Sequence, residues 1–164
     1  MKPAADEVEK YLHLHIPISR QMQLRIREIS DRGIRLSAPL APNVNHRSGV
    51  FCGSVSALDI LAGWTLAHVA VRSWGLTSPI VIQRNSVEYL KPIQGDFEAF
   101  CPAPNERSWA RLRETIGKRN RARITLEVEL TAEADRVDTF TGAYVILQSE
   151  RQSEAGPVAE TEPA

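Results

Sequence analysis

Between Asn45 and Asp59 the chain reads NHRSGVFCGSVSALD, a short run that holds several residue types used in acid–base and electrostatic catalysis. His46 offers an imidazole, a side chain that can act as a base and take a proton from water. Asn45 beside it can orient a water through its carboxamide but cannot deprotonate it. Gly49 and Gly53 allow a backbone to approach a ligand closely. They bracket Val50, Phe51 and Cys52, with Ser54 following, where a polar loop turns into an apolar run. Free N–H groups at a helix N-terminus stabilise developing negative charge, so a helix starting here would suit a polarised carbonyl oxygen. Asp59 is the one acid inside the apolar run. A carboxyl group among apolar residues needs a partner or gives up its charge, and such groups are functional candidates. The plainer reading is a tight turn feeding a core helix, with a loop asparagine, a solvated histidine and a paired structural acid.

The elements that must hold these residues follow from periodicity. Ala4 to His15 carries Val8, Tyr11 and Leu12 at helical spacing, and Pro17 is expected to stop that helix. Gln23 to Ile29 and Ile34 to Leu40 alternate as strands around the Asp31-Arg32-Gly33 turn. Gly53 to Trp74 is apolar nearly all round, which requires a helix wrapped on most sides, and Gly75 is placed to end it. Ile80 to Leu90, Asp96 to Cys101, Arg121 to Ala132 and Phe140 to Leu147 are four further strands, with a polar, partly helical stretch around Ser108 to Ile116. One antiparallel sheet curled around one long helix, an α+β arrangement, satisfies this order.

Composition narrows the setting. The chain has 164 residues and a formal net charge of zero, so it fits one domain and carries no electrostatic signature of a nucleic-acid or membrane partner. Asp59 and His68 interrupt the one stretch long enough to span a bilayer, which favours a buried helix. Cys52 and Cys101 make no disulfide framework and match no metal spacing, and His13, His15 and His68 add none, so no metal is expected and a reducing, cytoplasmic setting is. Cys52 is expected to pack or line the turn. Residues 1–149 form the expected domain, and 150–164 read as a disordered acidic tail. Along the 80–90 strand, alternation sends Asn85, Val87 and Tyr89 to one face and Ser86 and Glu88 to the other. Lys118, Arg119, Arg121 and Arg123 form a basic cluster suited to phosphate or only to solvent.

Three segments, EKYLHLHIPIS, LSAPLAPNVNHRSGVFCGSVSALDILAGW and VEYLKPIQGDF, resemble the thioesterase family of the YiiD C-terminal type over most of residues 8–148. Ser48, Gly49 and Cys52 stand where that pattern has Gly, Thr and Gly, and Asp59 precedes the common acid position, here Ile60, by one residue, about 100° of helix. The resemblance implies a hotdog fold, a curved antiparallel sheet wrapped around a central helix. It implies hydrolysis of acyl thioesters of coenzyme A or acyl carrier protein, with no resident cofactor. It also implies a homodimer, or a dimer of dimers, with sites at the subunit interface. The residues it points to for catalysis are Asn45, His46 and Asp59. For substrate binding they are Gly49, Val50, Phe51, Cys52, Gly53, Ser54, Asn85, Tyr89 and Arg121. A non-catalytic acyl-thioester binding or scaffolding domain is the competing reading. A dehydratase would need a paired histidine and acid that the sequence does not single out.

Overall fold

A computed structural model describes residues 3–147, so the expected tail at 150–164 lies outside the described residues. Six strands form one sheet in the order β1-β2-β4-β5-β6-β3. They are β1 (Arg25–Ser30), β2 (Gly33–Ala38), β3 (Ile80–Tyr89), β4 (Phe97–Pro102), β5 (Arg121–Ala132) and β6 (Asp135–Leu147), and every pairing is antiparallel. The central helix α3 (Cys52–Ser73) lies against β2, β3, β4, β5 and β6. It is long and apolar enough to cross a membrane by length and composition, but its apolar surface is largely buried inside the fold. Gly75 ends it with φ 75°, a conformation glycine adopts without a side-chain penalty.

Alternation on β5 is complete: Ala122, Ile124, Leu126, Val128 and Leu130 are all buried and the residues between them exposed. These side chains, with Phe97, Phe140, Tyr144 and Leu58, make the layer between sheet and helix. Helix α1 (Ala5–His15) is tied to the edge of the sheet through Glu9, whose Oε2 accepts the Ile26 N–H at 2.8 Å and whose Oε1 meets Arg25 at 2.7 Å.

Three elements differ from expectation. Pro17 ends α1 but also opens α2 (Pro17–Gln21), because proline fits the first turn of a helix, where its missing N–H has no partner to lose. Helix α4 (Glu106–Arg119) is longer than the expected core of the segment, since the Asn105 side chain accepts the Ser108 N–H at 2.9 Å and caps it. Strand β6 begins at Asp135 rather than Phe140. Glu133 and Ala134 both take positive φ, 51° and 66°, and make a two-residue turn that pairs Ala132 with Asp135 directly.

Candidate active site

The polar loop before α3 is built from its own asparagines. Asn43 is buried and its Nδ2 donates to Met22 O at 3.0 Å and Pro39 O at 2.7 Å. Asn45 Oδ1 accepts the N–H groups of Arg47 at 2.8 Å and Gly49 at 3.2 Å, and its Nδ2 donates to Val50 O at 3.1 Å. Ser48, inside that loop, takes φ 63°, where a glycine would sit free of strain. Asn45 thus uses three of its four hydrogen-bonding positions on the loop backbone, leaving one N–H for a bound water. His46 beside it is exposed. Asn45→Ala is expected to cost about 1–2 kcal/mol through the loss of these bonds. Asn45→Asp, which keeps both Oδ1 contacts, is expected to cost less, and urea unfolding of the two variants checks the order.

At the turn itself, Val50 N–H donates to Ile93 O at 2.8 Å, Phe51 N–H to Asn43 O at 2.7 Å and Ser54 N–H to Phe51 O at 2.9 Å. The N–H groups of Cys52 and Gly53 have no acceptor among the described residues. They point from the first turn of a 22-residue helix, where the backbone dipole favours negative charge. No side chain caps this end. Gly49 is buried, and a Cβ there would stand 3.0 Å from Ile93 O; at Gly53 a Cβ would fall 2.2 Å from the Phe51 ring, which lies over the turn. Phe51 is itself half exposed.

One face of α3 carries Cys52, Ser56, Asp59 and Gly63, spaced three to four residues apart and so aligned on one side. Tyr89 of β3 meets that face, its hydroxyl donating to Cys52 O at 3.3 Å and touching Ser56. Partial burial raises the Tyr89 phenol, and the neighbouring Cys52, Asp59 and Asp138 add to the rise. Asp138 lies directly opposite Tyr89 in the β3–β6 register and opposite Leu130 in the β5–β6 register. It shares the inward face of β6 with Phe140 and Tyr144, next to a bulge at Val137.

Asp59 and Asp138 are both fully buried, at 0% exposure, and their carboxyl groups face each other. Asp138 Oδ1 accepts the Leu130 N–H at 3.2 Å. Asp138 Oδ2 and both oxygens of Asp59 receive no donor from any other group among the described residues. Burial first, and then the Asp138 charge, hold the Asp59 carboxyl well above the usual carboxylate range. Burial raises Asp138 too, offset by Asp59, by the Leu130 N–H and by the nearby Arg136 guanidinium. Burial and the facing carboxyl therefore favour the protonated form of Asp59.

The structure thus brings Asp59, Cys52 and Tyr89 together at the start of α3. Val50, Phe51, Gly53 and Ser54 form the turn above them, and Gly49 supports it. Asn85 is exposed on β3, opposite Gly142, toward the middle of the strand. Arg121 is exposed at the far end of β5, opposite Leu147, and nine residues of strand separate it from Leu130, about 30 Å at ~3.3 Å per residue. Within one chain, Arg121 is not near the helix N-terminus. Asp138 is the residue that sequence reasoning missed. Among the described residues, no group of three or more His, Cys, Asp and Glu side chains is arranged to hold a metal.

Comparison with known proteins agrees with this architecture. The family model described as "Putative thioesterase (yiiD_Cterm)" matches residues 5–148. A crystal structure from Chlorobaculum tepidum TLS, of a protein with unknown function, is 26% identical at a TM-score of 0.83 and covers 88% of this chain and 94% of that one. A "putative thioesterase" from Shewanella oneidensis is 28% identical at a TM-score of 0.76, covering 87% and 96%. A Pseudomonas aeruginosa protein described as a "Probable Thioesterase" is 23% identical at a TM-score of 0.77, covering 90% and 99%, and bears on the fold alone. The fold is the hotdog fold, with α3 as the central helix.

Proposed function

We propose that this chain, which belongs to the "Putative thioesterase (yiiD_Cterm)" family, hydrolyses acyl thioesters of coenzyme A or of an acyl carrier protein. The observation that carries the reading is the pair of unpartnered N–H groups at Cys52 and Gly53, with a buried acid two turns along the same helix face. The thioester carbonyl oxygen sits against those two N–H groups, which strengthen their hold as negative charge develops on it. The acyl chain lies along apolar surface that Phe51, Tyr89 and Leu90, each about half exposed, leave around the turn. Water attacks the carbonyl carbon, the C–S bond breaks, and a carboxylic acid and a thiol leave. A polar group must take the water's proton; Asp59 in its ionised form, and His46 with Asn45 orienting the water, are the candidates, and neither requires a resident cofactor or metal.

A second copy of the chain completes the site in this reading. Strand β3 is an edge strand, paired only with β6, and it presents Val81 and Tyr89 to solvent. Pairing it with the same strand of another copy covers an open edge and brings a second surface to the α3 N-terminus. The setting is the cytoplasm, where acyl-CoA and acyl carrier proteins are found, consistent with the two free cysteines.

The test is thiol release from acyl-CoAs of increasing chain length and from aryl-CoA, with light scattering to fix the oligomer. Turnover of any of them is the expected result. One observation favours a second reading, a non-catalytic acyl-thioester binding domain: Asp59 is fully enclosed. Saturable binding of an acyl-CoA without thiol release, for acyl-CoA and acyl carrier protein alike, selects that reading over hydrolysis.

A further inference from the structure

Beyond the helix N-terminus, the side chain opposite Asp59 carries chemistry of its own. Asp138 comes from β6, a strand that no motif singled out, yet like Asp59 it has no exposure to solvent. Of the four carboxyl oxygens in the pair, only Asp138 Oδ1 has a donor among the described residues, the Leu130 N–H. Three buried carboxyl oxygens without a donor would be costly in a purely structural site, because each has left water and gained nothing. Two anions side by side would be costlier still. A single proton held between them removes the second charge and links two of the three oxygens, since one carboxyl then donates to the other.

We propose that Asp59 and Asp138 act together as the acid–base dyad of the hydrolytic site, sharing one proton in the resting protein. This rests on the thioesterase reading above and adds Asp138 to it. The groups around the pair fit a single negative charge. From α3, Cys52 and Ser56 face the same side. From β3 comes the Tyr89 hydroxyl, from β4 the Cys101 thiol and from β6 the Tyr144 phenol, with Arg136 the one cation among the described residues whose charge reaches Asp138. Cys101, buried and beside Asp59, has its thiol pushed up to about 12, and burial likewise raises the Tyr144 phenol, so neither contributes a second charge near neutral pH.

The step balances without any further reactant. The ionised carboxyl of the pair takes a proton from the attacking water as its oxygen bonds to the thioester carbon. The protonated carboxyl gives its proton to the sulfur as the C–S bond breaks. The acid leaves as carboxylic acid, the carrier leaves as thiol, and the pair again holds one proton. Tyr89, half exposed, donates to Cys52 O on the same face of α3 that carries Asp59.

The experiment is the pH profile of kcat/KM for the full chain, its Asp138→Asn variant and its Asp59→Asn variant, with an infrared spectrum of each at neutral pH. The parent is expected to give a bell-shaped profile whose two limbs belong to the pair, and a protonated-carboxyl stretch that disappears in Asp59→Asn. Asp138→Asn is expected to lower kcat/KM about 100-fold or more and to remove one limb of the bell, while a cooperative melt shows that it folds. An Asp138→Asn enzyme with the parent's profile and only a shifted melting temperature makes Asp138 a structural residue and overturns the proposal. A parent that turns over but lacks the protonated-carboxyl band also overturns it. A parent that releases thiol from no acyl-CoA and no acyl carrier protein brings down the hydrolase reading itself, and the dyad's catalytic role with it.

Discussion

Asp59→Asn is expected to lower thioester turnover by about 10²–10⁴-fold while leaving the fold at least as stable as the parent at neutral pH. The two halves of this result have one cause. Enclosure of Asp59, reinforced by Asp138, makes its protonated form the favoured one in the folded chain. An amide reproduces the size and one N–H of that protonated form but cannot exchange a proton with water. Alanine would be a poorer probe, because it would open a cavity and leave Asp138 buried without its partner.

The pH dependence carries the sign. In the unfolded chain Asp59 titrates near its ordinary 3.8, whereas in the folded chain its pKa is raised to about 10. Between those values the folded state holds a proton that the unfolded state has released. The contribution to stability is therefore full below pH 4 and declines as pH rises toward the folded value, by at most about 1.4 kcal/mol per pH unit. The amide of the Asp59→Asn variant has no such proton to release. Thermal melts of the variant and the parent are therefore expected to diverge as pH increases, with the variant the more stable. Parallel melting curves across that range would show that Asp59 is not held protonated by the fold. Retained turnover in the variant would instead remove Asp59 from the chemistry.

The main features of this arrangement were legible in the chain, for physical reasons that differ by element. β5 could be read almost to the residue because one of its faces is buried throughout and the other exposed, which imposes strict alternation. α3 could be read because a helix enclosed by a sheet has no polar face to obscure its run, and Asp59 stood out as the acid within it. Asp138 gave no such signal. It sits in DRVDTF among other polar residues, and the bulge at Val137 places two consecutive buried residues where alternation expects one. The hairpin leading into it turns on Glu133 and Ala134 with positive φ, where Asn and Gly would have announced the turn. Pairing Asp138 with Asp59 depends on strand order and register, which local periodicity does not encode. Asn45 was legible as a loop residue, but the three bonds it makes to the loop backbone were not, because they depend on how the loop closes.

Gly63→Ala is expected to destabilise the fold by about 2–4 kcal/mol, from overpacking and a broken buried hydrogen bond, although alanine is the better helix former by roughly 1 kcal/mol. A Cβ at position 63 would stand 2.3 Å from Tyr144 Oη, 2.6 Å from Cζ and 2.8 Å from Cε2. The Tyr144 ring is fully buried, and its hydroxyl donates to Ile60 O at 2.9 Å, one turn before the glycine. The ring cannot withdraw without breaking that bond, so α3 must lift from β6 instead. The same contact fixes the height of α3 above the strand that carries Asp138. Lifting the helix separates Asp59 from Asp138, so turnover is expected to fall by more than the loss of folded protein explains. Tyr144→Leu removes the obstructing ring. The Gly63→Ala, Tyr144→Leu double variant is therefore expected to be more stable than the two single losses predict, by at least about 1 kcal/mol of coupling. Additive losses in urea unfolding would mean that the glycine is not a socket for the ring. A neutral or stabilising Gly63→Ala would go further, because Tyr144 would then have room to move and could not be what sets Asp59 against Asp138.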